Sequence, residues 1–269
     1  MHITRRALLT GAGAVGALAA TSSIAHAAPA PPRVHVAGDS TASTYAAGLA
    51  PRAGWGQALQ IFLAGGVAVR NAALSGASSK SFADAGLLDA ILATMRAGDV
   101  FLISFGHNDE KDDPERHTDP ATTFKTYLSR YVDGARARGG RPVLVTPVER
   151  RRFDSAGHAT VSHGAYPAAM RELAAATSVP LIDLTALSLA LWDSLGVEGT
   201  KDHFLWLTAG ESPNYPAGVE DNTHFQAHGA IEVARLVATG LRGLPILPAP
   251  AFRRLTTAGL PDSLIVWPA

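Results

Sequence analysis

Apolar residues recur along the chain in two alternating rhythms. Short runs read as strands: Val34-His35-Val36-Ala37 stopped at Gly38, Val67 to Ala72, Val100 to Phe105, Pro142 to Thr146 and Val179 to Leu184. Between them, apolar positions three and four apart predict helices over Trp55 to Leu63, Leu87 to Met95, Phe124 to Ala137, Ala165 to Ala176 and Ala227 to Leu241. Val100-Phe101-Leu102-Ile103-Ser104-Phe105 is nearly continuous, the pattern of a strand buried on both faces. Five strands separated by helices predict the α/β class, a single-domain three-layer α/β/α fold with a five-stranded, mostly parallel sheet. Residues 244–269 contain Pro245, Pro248, Pro250, Pro261 and Pro268 without periodicity, and are expected to pack as an irregular tail.

Composition narrows the chemistry. A chain of 269 residues, 47% hydrophobic and 17% charged, is an ordinary globular protein. Its 23 Lys and Arg balance 23 Asp and Glu, so the basic excess of a nucleic-acid binder is missing. The absence of cysteine removes disulfides, thiol nucleophiles, Cys-ligated zinc and iron–sulfur clusters together. Oxygen and imidazole chemistry remain.

The N-terminus reads as an export address. Thr4-Arg5-Arg6 precedes an uncharged run from Ala7 to Ala20, and Ala25-His26-Ala27 offers a small-x-small cleavage pattern. The run is shorter than a bilayer span and only weakly apolar, and paired arginines before such a run resemble a twin-arginine signal. Residues 1–27 hold Arg5 and Arg6 and no acid, so the mature chain would carry 21 basic against 23 acidic residues, a formal charge of −2. The expectation is a secreted protein without membrane attachment after signal removal. Residues 28–32 read as a proline-rich linker and residues 33–243 as the single folded domain.

In doubly wound sheets, ligands bind beyond the carboxyl ends of the strands, so the loops there are the informative ones. Gly38-Asp39-Ser40 closes the first strand, where a serine would project from the sheet edge; the tripeptide reads equally as a helix N-cap. Ala42 stands where the G-x-S-x-G elbow of α/β-hydrolases requires Gly. Gly76 follows the second strand, where glycine lets the backbone approach a ligand. Gly106-His107-Asn108-Asp109 follows the third strand and puts an amide donor at the crevice mouth; its other reading is a chain-reversing Asx-turn. Asp221-Asn222-Thr223-His224 precedes the last helix. Serine needs a base, and the base an orienting acceptor, which an Asp and a His three residues apart can supply on one turn. His224 and His228 stand at a helical metal-pair spacing, but no H-E-x-x-H surrounds them. Neither metal nor cofactor is expected.

Taken together, these four blocks resemble the SGNH (GDSL-type) hydrolase superfamily, with its flavodoxin-like fold, over about residues 33–243. The superfamily's Ser, Gly, Asn and His fall on Ser40, Gly76, Asn108 and His224, with Asp221 as third triad member. Gly38-Asp39-Ser40-Thr41, Gly54-Trp55-Gly56, Ser78-Ser79-Lys80-Ser81-Phe82, Thr146-Pro147-Val148, Arg150-Arg151-Arg152-Phe153 and Pro213-Asn214-Tyr215-Pro216 are similar to the rhamnogalacturonan acetylesterase branch. One position departs: Ala77 stands where many relatives carry Arg, which bears on substrate preference.

The resemblance implies a carboxylic ester hydrolase that deacetylates plant cell-wall polysaccharide. Ser40 is then the nucleophile, His224 the base and Asp221 its orienting acid. Ser40 N–H, Gly76 N–H and the Asn108 side chain form the oxyanion hole. Asp39 is assigned to loop structure. Trp55, His107 and Tyr215 are candidate sugar contacts, and Trp206 reads equally as contact or core. The partner expected is an acetylated polysaccharide or oligosaccharide, with the oligomeric state left open. Esterase or thioesterase activity on longer acyl chains competes within the class. From other classes stand a non-catalytic carbohydrate-binding protein, and a glycosidase using Asp109, Asp112, Asp113 or Glu115, a cluster that reads more simply as a solvated loop.

Overall fold

A computed structural model of the chain describes residues 30–269 apart from residue 65, together with His2. The expected export signal and its cleavage site lie outside the described residues. Strand β1 (Arg33–Gly38) is followed by the short β2 (Arg52–Ala53), helix α1 (Trp55–Ala58), β3 (Ala68–Asn71), α2 (Ser79–Asp84), α3 (Leu87–Thr94) and β4 (Val100–Ser104). Then come α4 (Thr123–Ala137), β5 (Arg141–Val145), α5 (Tyr166–Thr177), β6 (Leu181–Ile182), α6 (Leu184–Gly199), β7 (Phe204–Leu207), β8 (Val219–Gln226) and α7 (Ala227–Arg242).

The central sheet has the order β3-β1-β4-β5-β6, and every neighbouring pair is parallel. This is the expected α/β/α arrangement with a flavodoxin-like order. Side chains alternate across each strand and divide the core in two. Val34, Val36, Val100, Leu102, Val143 and Val145 face one layer with α1, α6 and α7, which contribute Trp55, Trp192, Ile231 and Val237. Ala37, Phe101, Ile103 and Leu144 face the other layer with α2 to α5, which contribute Phe82, Ile91, Leu128 and Met170. The run at β4 is buried throughout, as its unbroken apolar character predicted.

Three local expectations change. The helix expected over Trp55 to Leu63 gives way after Ala58 to a 3-10 turn, Leu59–Phe62. Leu59, Ile61, Phe62 and Leu63 are all buried and only Gln60 in this segment is exposed, so the buried positions run almost consecutively instead of forming the one-sided stripe of a regular amphipathic helix. The fifth strand is cut to Leu181–Ile182 because the Asp183 side chain accepts from Ala186 N–H and caps α6, a helix the sequence reading does not contain. Finally, β2, β8 and β7 form a small antiparallel sheet in that order, also unforeseen. Asp221 and His224, expected in the segment before the last helix, therefore lie on strand β8.

Residues 244–269 contain two short 3-10 turns and bury Ile246, Leu247, Ala251, Leu260 and Ile265 against the α7 side of the core. Their far end reaches the small sheet, where Trp267 Nε1 donates to the Arg52 carbonyl at 3.0 Å.

Candidate active site

Ser40 sits on the turn that ends β1, at the carboxyl edge of the sheet. The turn is held from within. Asp39 Oδ1 accepts from Thr41 N at 2.9 Å and Thr41 Oγ1 at 2.8 Å, and Ser43 Oγ donates to the Asp39 carbonyl at 2.9 Å. Burial pushes the Asp39 carboxyl above its ordinary range, while the Thr41 hydrogen bonds oppose the rise. Asp39 is thus occupied by its own loop. The Tyr45 hydroxyl donates to the Ser40 carbonyl at 2.6 Å and fixes the turn from the other side.

Gly54-Trp55-Gly56 supports the same turn. Trp55 N donates to the Thr41 carbonyl at 2.9 Å. A Cβ on Gly54 would lie 2.3 Å from the Ser43 carbonyl oxygen, and one on Gly56 2.4 Å from that of Ala42. Both glycines are required by this close approach of backbones. Trp55, expected as a sugar contact, is instead fully buried in the core, because the two glycines draw its helix down onto the Ser40 turn.

Strand β8 brings the second half of the site. His224 Nε2 lies 2.9 Å from Ser40 Oγ, and its Nδ1 is 2.7 Å from Asp221 Oδ2. With Nδ1 donating to the carboxylate, Nε2 is left as the acceptor for the serine hydroxyl. Asp221 Oδ1 accepts from Thr223 N at 2.7 Å and His224 N at 3.0 Å, so carboxylate and imidazole are locked in one local turn within the strand. Burial alone would raise the Asp221 pKa. The His224 side chain and these backbone donors outweigh it and bring it to about 2. Both His224 nitrogens are engaged here, and His228 lies instead against the His203 ring, 4.6 Å between centroids.

Opposite His224 stand Gly76 and Asn108. Ala77 N donates to the Leu74 carbonyl at 3.1 Å, and Gly76 occupies the third position of that turn with φ +83°, where glycine is favoured. Asn108 Nδ2 donates to the Ala77 carbonyl at 2.9 Å, which ties the two blocks together. One amide hydrogen of Asn108 is thereby used and the other is free of this bond. Asp109 is not part of a solvated loop. It is fully buried, accepting from Ser79 N, Ser79 Oγ and Thr118 Oγ1. Burial pushes its carboxyl up to about 6 against those bonds. The Ser78–Ser81 capping box at the start of α2 presents Ser79 to it, which accounts for the serine-rich block.

Ser40, Gly76, Asn108 and His224 line one cavity of about 400 Å³ together with Arg52, Ser75, His107, Glu110, Lys111, Arg150 and Thr223. His107 forms part of its wall and is almost wholly buried. Its Nε2 donates to the Val148 carbonyl at 3.0 Å, and burial, followed by nearby His163 and Arg150, holds its pKa well below the ordinary value. The neutral ring keeps an acceptor on Nδ1, which has no partner among the described residues. Arg150 pairs with Glu110 at 2.6 Å. Two larger cavities, about 1000 and 860 Å³, contain none of Ser40, Asn108 or His224.

Other candidates stand elsewhere. Tyr215 does not line the cavity; its hydroxyl donates to the Leu49 carbonyl at 3.2 Å and tethers the loop before β8. Trp206 donates to Asn222 Oδ1 at 3.0 Å, with Arg151 at 4.4 Å and Lys201 at 5.0 Å from its ring, so cations occupy the indole that a sugar would use. Asp113 pairs with Arg116 at 2.6 Å, and neither it, Asp112 nor Glu115 lines the cavity. Arg52 and Lys111 were missed as site residues. Lys111 stands two residues after the G-H-N-D block and Arg52 two residues before the G-W-G block, which was the available signal.

Residues 36–230 match the GDSL-like lipase/acylhydrolase family. Rhamnogalacturonan acetylesterase RhgT of Bacillus subtilis (strain 168) is 48% identical over 218 residues, covering 80% of this chain and 93% of the relative. The probable rhamnogalacturonan acetylesterase YesY of the same strain is 40% identical, covering 79% of this chain and 94% of the relative. Among solved structures, Bacillus subtilis YxiM superposes with a TM-score of 0.68 at 30% identity, covering 80% of this chain and 58% of that one. The chain therefore belongs to the GDSL-like lipase/acylhydrolase family.

Proposed function

We propose that this protein is a secreted serine esterase that removes acetyl groups from pectic polysaccharide of the rhamnogalacturonan type. The observation that carries this reading is the hydrogen-bonded line Ser40–His224–Asp221, opening on a small cavity walled by Gly76 and Asn108. The activity named for the two Bacillus relatives supports the substrate class.

In this reading, Ser40 Oγ attacks the acetyl carbonyl carbon as its proton passes to His224 Nε2. Asp221, ionised at any working pH, stabilises the resulting imidazolium and holds its orientation. The negative oxygen of the tetrahedral intermediate accepts from Ser40 N–H, Gly76 N–H and Asn108 Nδ2. Collapse breaks the bond to the sugar oxygen, which leaves with the His224 proton. Water then attacks the acetyl-Ser40 ester by the same route and releases acetate. Among the described residues, no helix is long and apolar enough to cross a membrane. The proposed export rests on the Arg5-Arg6 signal pattern in the sequence.

An acetate-release panel on acetylated rhamnogalacturonan, homogalacturonan and xylan, beside p-nitrophenyl esters of increasing chain length, tests the reading. Release from the pectic polymers with little activity beyond short acyl chains is expected. A preference for long acyl esters with inert polymers would overturn it in favour of a lipase or thioesterase.

A further inference from the structure

The cavity beside Ser40 carries more positive charge than its own groups neutralise. Glu110 and Arg150 pair with each other. Arg52 and Lys111 also line it, and neither has a carboxylate partner among the described residues. Arg52 is the more firmly built of the two. Its guanidinium carbon stands 4.4 Å over the centre of the Tyr45 ring, and its carbonyl is held by Trp267. The pairing of β2 with β8 sets it opposite Gln226, two residues beyond His224. Its Nε is buried without an acceptor among the described residues.

A buried N–H of a charged group with no acceptor costs free energy that folded proteins rarely leave uncompensated. The outer amino groups of the guanidinium, which have no carboxylate partner among the described residues, are the part an acidic ligand in the cavity would meet, and its charge would compensate the cation. The support beneath Arg52 also reaches the nucleophile, because the Tyr45 hydroxyl bonds the Ser40 carbonyl. An anion on the guanidinium is therefore held at a fixed offset from Ser40 Oγ.

We propose that Arg52 is a specificity-determining residue that pairs with the carboxylate of a uronate unit in the acetylated substrate, with Lys111 adding attraction at the rim. The inference rests on the deacetylation reading above and deepens it by naming what selects an acidic sugar. The planar guanidinium fork fits a carboxylate, and Arg remains charged at any working pH. A neutral acetylated sugar leaves the same donors unpaired, so discrimination comes from the penalty on the neutral substrate as well as the gain on the acidic one.

The test compares kcat/KM for acetate release from acetylated oligogalacturonides and acetylated xylo-oligosaccharides in the wild type, Arg52→Gln and Arg52→Lys, each checked for folding by thermal denaturation. The galacturonide-to-xylan ratio is expected to fall about tenfold in Arg52→Gln, mainly through KM, and to recover in part in Arg52→Lys. In the wild type the ratio should also decline as salt rises from ~50 to ~500 mM. An unchanged ratio overturns the proposal, and so does an equal loss on both substrates, which would make Arg52 a support for Tyr45 and Ser40. If the wild type releases no acetate from either polymer, the polysaccharide reading fails by itself. Inhibition of p-nitrophenyl acetate hydrolysis by unacetylated trigalacturonate then decides the role of Arg52. Inhibition weakened about tenfold in Arg52→Gln upholds it, while equal inhibition, or none in the wild type, overturns it.

Discussion

His224 Nε2 lies 2.9 Å from Ser40 Oγ although 184 residues separate the two in the chain. Ser40 belongs to the turn at the carboxyl end of β1 in the parallel sheet and His224 to the small antiparallel sheet. The hydrogen bond thus depends on how the two sheets are set against each other, and Tyr45, Gly54 and Gly56 hold the Ser40 side of it through contacts with Ser40, Ser43 and Ala42.

Removing the hydroxyl should stop the reaction and spare the fold. Ser40→Ala is expected to lower acetate release by a factor on the order of 10⁴ or more, as loss of a triad serine does elsewhere. The substitution removes one hydrogen bond, from Ser40 Oγ to His224 at 2.9 Å, so stability should change by no more than about 1.5 kcal/mol. A coupled acetate assay and a thermal melt check both parts. Turnover retained in a folded variant would sink the serine mechanism.

Asp221 is held ionised, with a pKa of about 2, and shares Oδ2 with His224 Nδ1. Asp221→Asn keeps the shape but puts an amide against that nitrogen, favouring the wrong tautomer and losing the charge that balances imidazolium. A kcat loss on the order of 10⁴-fold with KM little changed is expected. Steady-state kinetics on p-nitrophenyl acetate measure it, and a variant keeping a tenth of wild-type kcat would remove Asp221 from the mechanism.

The central sheet was legible because β4 is an unbroken apolar run and β1 and β5 are short and largely apolar, which burial explains. Strand β8 was not, because Val219-Glu220-Asp221-Asn222-Thr223-His224 has no apolar alternation; its backbone bonds to β7 and β2 make it a strand. Helix α6 escaped for the opposite reason. Leu184, Leu187, Leu189, Leu191, Trp192 and Leu195 spread around its axis instead of forming a stripe, and Leu187 remains exposed. Ser40, Asn108 and His224 stood out because each occupies a short polar block beside an apolar run. Arg52 has no such block, and its place in the cavity follows from the β2–β8 pairing. Trp55 read as a candidate sugar contact, whereas its flanking glycines serve backbone contact.

Asn108→Ala removes the side-chain donor from the oxyanion wall and leaves the Ala77 carbonyl without its partner. A fall in kcat of about 10²- to 10³-fold is expected, from the typical worth of one oxyanion donor. Stability should drop by about 1–3 kcal/mol, the cost of an unpaired buried acceptor. The two effects separate by measuring kcat and KM well below the melting temperature. A raised KM with kcat unchanged would make Asn108 a substrate-holding residue instead.

Two glycines should fail in different ways. A methyl at Gly56 meets the Ala42 carbonyl oxygen at 2.4 Å, so Gly56→Ala must push the Ser40 turn and is expected to cost more than about 2 kcal/mol along with kcat. A methyl at Gly76 meets nothing within 4 Å, and only the left-handed φ resists it, at about 1–2 kcal/mol. Gly76→Ala should therefore melt at the higher temperature of the two, yet still lose kcat as the turn relaxes and its N–H swings away. The reverse order of melting temperatures would show that the turn around Ser40 yields more readily than its contacts with Gly56 imply.

Asp109 makes the fold sensitive to pH in a direction opposite to most carboxylates. Burial raises its folded pKa to about 6, above the ordinary value of 3.8, so the native state keeps a proton that the unfolded chain gives up. Its contribution is fully present below about pH 4 and is lost as pH rises through about 6, a difference on the order of 2–3 kcal/mol. Asp109→Asn imitates the protonated form at every pH and has no such slope. Urea unfolding of both proteins between pH 4 and 7.5 should show the wild type gaining on the variant as pH falls. A difference independent of pH would mean that Ser79 and Thr118, which bond this carboxylate, offset its burial completely. The proton would then bind equally in both states, and Asp109 would drop out of the pH response.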